Sequence, residues 1–359
     1  MQLAKRSRTL PQQIEVMAAM VENLRNSTIV SKMEQIASSP AESLIGTHNG
    51  SFHCDEALAV SMLKLLPQYS NATVVRTRDP EVLAKCGIVV DVGAVYDPAT
   101  HRYDHHQREF TGVLEGYTTK LSSAGLVYKH FGKDIIRELL KDNAACTPAF
   151  VDIAFEKLYK NFIEHVDAID NGVAVADGPV KYFVSTTLSS RVGHLNPNWN
   201  DDATPEVFNN SFKAAMELTC TEFMQAATSI ATVWWPARSL VQSAMDSRFD
   251  VHASGSIVVL AQACPWKDHL FELPDDGKAV LYALYEDTGG SWRIQAVPED
   301  PQSFASRRKL PAEWCGLRDA VLSEACGEPG AIFIHASGFI GGHNTKTGAL
   351  NIAVKALTM

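Results

Sequence analysis

The sequence predicts an α/β protein: a domain built on a mostly parallel sheet, followed by a smaller α+β domain across a cleft. Three observations predict it. Short apolar runs at 44–47, 72–76 and 87–92 alternate with helix-periodic segments, notably 56–66, which is the rhythm of a parallel sheet. Further on, 256–261, 279–285, 291–297 and 331–335 read as strands, with Gly289-Gly290 suited to a hairpin turn between two of them. The chain has 359 residues, 46% hydrophobic and 20% charged, an ordinary globular composition long enough for two domains. The expected order is a peripheral segment at 1–42, the α/β domain at 43–200, a helical connector at 201–234 and the second domain at 235–359.

Composition excludes several classes. A net charge of −9 does not suit a protein that coats nucleic acid through a basic surface. It leaves open an enzyme that meets phosphate through metal and a few local cations. The seven cysteines include no C-x-x-C, which argues for a reducing compartment and against a disulfide framework or zinc knuckle. Cys54, between His53 and Asp55, reads as a small side chain beside a site. No apolar run reaches membrane-spanning length. Lys5, Arg6 and Arg8 precede the first acid, Glu15. They read as a solvated tail, with a weak mitochondrial presequence as the alternative.

Taken in order, residues 15–24 form one amphipathic pattern, and Ser38-Ser39-Pro40 a linker. The strand at 44–47 runs into His48-Asn49-Gly50, a turn. Asp55 then opens the helix at 56–66, which Pro67 stops. His48, His53 and Asp55 therefore share a strand-to-helix loop, where a helix N-terminus favours anions. The third strand is apolar until Asp91, and an acid there is costly unless paired or bound to metal. A short hairpin at 96–103 delivers Asp104-His105-His106. Five of twelve histidines fall between His48 and His106. Imidazole and carboxylate without a thiolate pair suit hard-to-borderline divalent ions.

Ser122-Ser123-Ala124 opens the next helix. The periodic stretch 150–166 ends in His165-Val166-Asp167-Ala168-Ile169-Asp170-Asn171-Gly172. Asp167 and Asp170 lie one turn apart, and Asp170 before Asn-Gly also suits a helix end. Residues 186–204 are polar and turn-rich, a lid or crossover. The stretch 205–233 is one long helix with an aromatic and methionine stripe, read as core or interdomain packing; the same stripe allows self-association into a homo-oligomer. In the second domain, Arg307, Arg308, Lys309 and Arg318 form a basic cluster in an acidic chain, suited to backbone contacts that position without reading sequence. The chain closes on Ser337-Gly338-Phe339-Ile340-Gly341-Gly342-His343, where glycines allow close approach of a ligand and Phe339, if exposed, can stack on a base.

The set H-x4-H-x-D, strand-terminal Asp91 and the D-H-H triplet resembles the DHH phosphoesterase superfamily. Within it, GTHNGSFHCDEALA, VRTRDP, VVDVG, YDHHQREF and SSAGLVYKHFG are similar to the melanocyte-proliferating-gene-one family, also catalogued as "metal-dependent protein hydrolases", from about Ser43 to near the C-terminus. The resemblance implies two divalent ions held by His48, His53 and Asp55, by a bridging Asp91, by Asp104 and His105, and by Asp167 or Asp170; mixed imidazole and carboxylate ligation suits Mn²⁺ better than Mg²⁺, which stays the alternative. Of that last pair Asp167 is preferred here. His53 stands where many superfamily members carry Asp, which lowers the site's negative charge. The resemblance also implies His106, Arg78 or a C-terminal loop residue at the non-bridging oxygens, and Ser337, Gly341, Gly342, His343 and Lys346 on substrate phosphate. The expected activity is 3′–5′ exonucleolysis of RNA or short oligonucleotides, in cytoplasm, nucleus or mitochondrion. The alternatives are hydrolysis of pyrophosphate or a cyclic dinucleotide, a non-catalytic metal- or RNA-binding protein, and an oligomeric scaffold built on the long helix. No H-E-x-x-H supports a peptidase.

Overall fold

The computed structural model describes residues 10–274, 279–301 and 303–359; Lys5, Arg6 and Arg8 lie outside them. The chain divides into two compact units, 1–231 and 232–359. Among the described residues no helix is long and apolar enough to cross a membrane.

The first unit runs α1 (Leu10–Arg25), β1 (Ile29–Val30), β2 (Leu44–Thr47), α2 (Cys54–Lys64), β3 (Thr73–Arg76), α3 (Pro80–Leu83), β4 (Ile88–Val90), β5 (Tyr96–Asp97), β6 (Arg102–Tyr103), α4 (Ser123–Leu139), α5 (Pro148–Leu158), α6 (Glu164–Asp170), α7 (Leu188–Gly193) and α8 (Pro205–Ser229). Its sheet has the order β1-β3-β2-β4-β6-β5. Every pairing is parallel except β5 with β6. Strands buried on both faces need apolar residues throughout, and all four residues of β2 are buried. Gly46 keeps that strand bare: a Cβ there would meet Leu83, Val89 and Cys86 at 3.1–3.2 Å.

Parallel strands place their following loops along one edge. Thr47 leads to His48, Val90 to Asp91, and Tyr103 to Asp104 and His105, so three ligand-bearing segments meet there. All eleven residues of α2 are buried, because α4 and α8 both pack on it. The only ammonium in this helix, Lys64, donates to the Ala72 carbonyl at 2.8 Å.

Two segments fit more closely into this unit than periodicity suggested. Residues 1–42 supply β1, which extends the sheet (Ile29 opposite Val74), and α1, which packs on α8. The helix read as a connector lies inside the first unit, with Phe212, Ala215, Met216, Phe223 and Met224 buried, so its apolar stripe is used there. The stretch 150–166 is interrupted by a π-helical turn, Tyr159–Ile163, a feature common beside functional sites.

The second unit runs α9 (Trp235–Asp246), α10 (Arg248–Val251), β7 (Ile257–Val259), α11 (Lys267–Glu272), β8 (Tyr282–Glu286), β9 (Trp292–Ala296), α12 (Asp319–Cys326), β10 (Ala331–Ile334), β11 (Ile340–His343) and α13 (Lys346–Ala356). Its sheet order is β10-β11-β9-β8-β7, with only β7 and β8 parallel. One core joins Leu284, Ile294 and Ile334 to Ile352 of α13. The other joins Val258 and Ala283 to Val241 and Leu270.

Gly341, Gly342 and His343, expected in a substrate loop, instead lie in an interior strand paired on both sides. The glycines answer to packing: a Cβ on Gly341 would strike Ile334, and one on Gly342 would strike Arg293 and Phe333.

Candidate metal centre

Asp91 lies at the middle of the site. It follows β4 in the left-handed region (φ 57°), which Asp tolerates better than most residues. Its Oδ2 is 3.3 Å from His48 Nε2, and its Oδ1 is 3.3 Å from His105 Nε2 and 3.6 Å from His106 Nδ1. Glu56 approaches from α2, with Oε1 3.0 Å from His48 Nε2. Both of its oxygens also accept from the backbone N–H of His53 at 2.9 Å. Across the site, His105 Nε2 is 3.2 Å from Asp170 Oδ2 and 3.8 Å from Asp55 Oδ2.

Ligand atoms of three sets lie within 4.8 Å of one another: His48, His53, Glu56 and Asp91; Asp91, His105 and His106; Asp55, His105 and Asp170. Asp91 and His105 each belong to two sets. Buried polar atoms ordinarily find a hydrogen bond, yet Asp55 Oδ1, Asp91 Oδ1 and both ring nitrogens of His105 have none. Orphaned imidazole and carboxylate atoms converging at these distances fit a divalent cation.

The electrostatics agree. Burial, then the charge of Asp91, raises the Asp55 carboxyl. Burial, followed by the charges of Asp55 and Asp91, raises Asp170 to about 9, and burial raises Glu56 to about 8. Burial opposes the charged form of His48, but Asp91 and Glu56 outweigh it and lift the ring to about 10. Asp91 is held well below the usual carboxylate range: burial opposes this, and His105 and His48 prevail. Each raised group binds more protons in the folded state than in the unfolded one. Metal-free protein should therefore lose stability as pH rises from about 5 to about 9. Melting temperatures across that range check this, and saturating divalent metal should flatten the slope.

The structure separates Asp167 from Asp170. Asp167 Oδ1 accepts from Ser122 N (3.0 Å), Ser122 Oγ (2.7 Å) and Gly125 N (3.1 Å), and Oδ2 from Tyr159 OH (3.1 Å). Its oxygens are taken, and it joins none of the three sets. The preference for Asp167 is thus corrected: it ties α4 to α6, and Asp170 is the carboxylate that reaches the centre. Asp167→Ala should cost about 3 kcal/mol or more, since it leaves buried donors unpaired. Asp170→Asn should weaken metal binding and leave the metal-free fold intact. Thermal unfolding and Mn²⁺ titration of both variants separate the two roles.

Asp104 is also displaced from the ligand role expected of it. Its Oδ2 accepts from Ala94 N at 2.6 Å, and Oδ1 from His106 N at 3.1 Å and His106 Nδ1 at 2.7 Å. It orients His106, whose exposed ring lines an open cavity of about 500 Å³ together with Phe52, His53, His105, Lys120, Asp170, Asn171 and Ser189. Arg78 is exposed after β3 and belongs to none of the three sets. Glu56 escaped the sequence reading because its position next to Asp55 suits an ordinary helix cap. Its complete burial is a tertiary fact.

In the second unit, His343 is buried, with Nδ1 accepting from Thr345 N at 2.9 Å and Nε2 3.0 Å from the Pro329 carbonyl. Neither nitrogen is free for phosphate, which corrects the role expected of it. Arg307 donates to the Val280 carbonyl and stacks on Phe271, and Arg308 donates to the Leu357 carbonyl. Ser337 Oγ is 2.8 Å from His335 Nδ1, and Lys346 lies over Trp292. Arg308, Lys309 and Ser337 line one open pocket of about 530 Å³. Arg318 lies over Phe333 at 5.7 Å and Arg293, which the sequence reading passed over, at 5.2 Å.

Residues 44–357 match the family model described as Uncharacterised protein family (UPF0160). The chain is 51% identical over 321 residues to the MYG1 exonuclease of Homo sapiens, covering 86% of this chain and 84% of that protein. It is 51% identical over 320 residues to the MYG1 exonuclease of Mus musculus, covering 86% and 83%. The MYG1 protein of Dictyostelium discoideum is 45% identical over 319 residues, covering 87% and 96%.

Proposed function

The chain belongs to the MYG1 family, and from that membership and the buried centre we propose that it is a metal-dependent phosphodiesterase acting as a 3′–5′ exoribonuclease on RNA or short oligonucleotides. The observation that carries this is the convergence of orphaned imidazole and carboxylate atoms at the floor of an open cavity. His48, His53, Glu56 and Asp91 would hold one ion, and Asp55, His105, Asp170 and the shared Asp91 a second. Mixed nitrogen and oxygen donors favour Mn²⁺ over Mg²⁺. When bound, the ions supply an activated water and neutralise charge on the phosphoryl group.

The protein's own groups supply the rest. Asp104 holds His106 Nδ1, which leaves Nε2 available on the cavity side. That hydrogen bond raises the pKa of the ring, which favours the protonated form that can donate to the leaving oxygen. Lys120, rather than Arg78, lines the cavity wall and would be the cation facing a bound phosphate. A cavity of about 500 Å³ suits a chain end, and equally a dinucleotide or another small phosphate, which keeps that second reading open to test. The proposed setting is RNA of the cytoplasm, nucleus or mitochondrion.

Purified protein with 5′-labelled single-stranded RNA tests the proposal. A ladder shortening from the 3′ end in Mn²⁺, and absent in EDTA, is expected. An intact strand alongside hydrolysed pyrophosphate or cyclic dinucleotide would move the substrate to the second reading.

A further inference from the structure

Arg76, the last residue of β3, is fully buried. A guanidinium removed from water normally sits against a carboxylate, yet among the described residues none pairs with this one. Its partners are neutral: Nη2 donates to the Gly50 carbonyl at 2.8 Å, and Nη1 to Asn209 Oδ1 of α8 at 3.2 Å. The guanidinium carbon lies 4.5 Å from the ring centre of Phe212 and 5.7 Å from that of Phe52. Gly50 and Phe52 belong to the loop between β2 and α2 that carries His48 and His53. Asn196 holds the same loop from the segment after α7: its Oδ1 accepts from Phe52 N at 3.0 Å, and its Nδ2 donates to Phe52 O at 2.8 Å.

An apolar side chain in place of Arg76 would pack between two phenylalanines without the desolvation cost of a cation. It could not donate to the Gly50 carbonyl and to α8 at once. Gly50 has φ 81°, in the region that glycine adopts freely, so the loop does not fix itself at this point.

We propose that Arg76 and Asn196 form a two-point clamp on the His48–His53 loop that sets its position, and with it the affinity of the centre for divalent metal. The proposal rests on the metal-centre reading. Both are positioning residues: neither belongs to the ligand sets, and they act through the backbone of Gly50 and Phe52. Groups that orient metal ligands typically change affinity by about 10–100-fold when removed. The clamp also gives a use to the polar segment after α7, which by sequence suits either a lid or a crossover.

The test is Mn²⁺ titration of the full, metal-stripped chain by calorimetry, with thermal unfolding of the metal-free form alongside. Arg76→Met and Asn196→Ala should each bind Mn²⁺ about 10–100-fold more weakly than wild type. Arg76→Lys, which still reaches one carbonyl, should recover part of that loss. A merely structural role would lower the melting temperature and leave Mn²⁺ affinity unchanged. Wild-type affinity in folded Asn196→Ala overturns the clamp even where Arg76→Met does not fold. Wild-type protein that binds no Mn²⁺ overturns the metal centre and the clamp together, whereas bound metal with unaffected variants overturns the clamp alone.

Discussion

Asp91→Asn is expected to remove activity more completely than any other single change. Asp91 approaches His48 on one side and His105 and His106 on the other, so it is the carboxylate best placed to serve both of the proposed ions. Asparagine keeps the shape and tolerates the left-handed backbone at this position, which makes it a cleaner test than alanine. The loss should exceed the roughly 10–100-fold typical of groups that merely orient a ligand, and it should appear both in Mn²⁺ affinity and in turnover. The metal-free fold should survive, because Asp91 also repels Asp55, Glu56 and Asp170. Calorimetric Mn²⁺ titration, with circular dichroism on the same sample, checks both halves. Wild-type Mn²⁺ affinity in Asp91→Asn would remove Asp91 from the centre.

Asp104→Asn should give the second-largest effect, by a different route. Asp104 belongs to none of the ligand sets; it accepts from His106 Nδ1 and from the backbone of Ala94 and His106. Burial opposes its charge, but the hydrogen bond to His106 and those backbone N–H groups hold it below the usual carboxylate range. An amide cannot hold the His106 imidazolium in this way. Loss of a positioned proton donor costs about 10²–10⁴-fold in rate. That loss should be seen with RNA, whose leaving alkoxide needs a proton, and should largely vanish with a p-nitrophenyl phosphodiester, whose leaving group departs without one. Mn²⁺ affinity should stay near that of wild type. An equal loss on both substrates, or a collapse of metal affinity, would return Asp104 to the ligand role read from the sequence.

Much of the metal centre was legible in the chain because parallel α/β sheets impose a rule: the loops after successive strands gather along one edge. His48 and Asp91 each lie just beyond a short apolar run and His105 just beyond a hairpin, which suggested a shared edge, and the family resemblance named them as ligands. Three further features depend on tertiary contacts. Asp167 and Asp170 have the same chemistry one turn apart, and only the donors Ser122, Gly125 and Tyr159 decide which is saturated. Glu56 resembles a helix cap by position, and only the packing of α4 and α8 on α2 buries it. Gly341-Gly342-His343 reads as a flexible loop in sequence, but strand pairing on both sides makes it rigid core, and the space its glycines leave is filled by Arg293, Phe333 and Ile334. Arg76 carried no local signal, since an arginine at the end of a strand is ordinarily solvated.

The buried imidazole–carboxylate cluster is proposed to hold divalent metal and to hydrolyse phosphodiesters with it. The most direct measurement adds Mn²⁺ stepwise to metal-stripped protein and tracks occupancy and cleavage of 5′-labelled single-stranded RNA in the same samples. The expected result is no cleavage at zero metal, a rate that rises with occupancy, and no cleavage by Asp91→Asn at any Mn²⁺ concentration that saturates wild type. Full cleavage in EDTA, or saturated sites with intact RNA and intact small phosphodiesters, would contradict it.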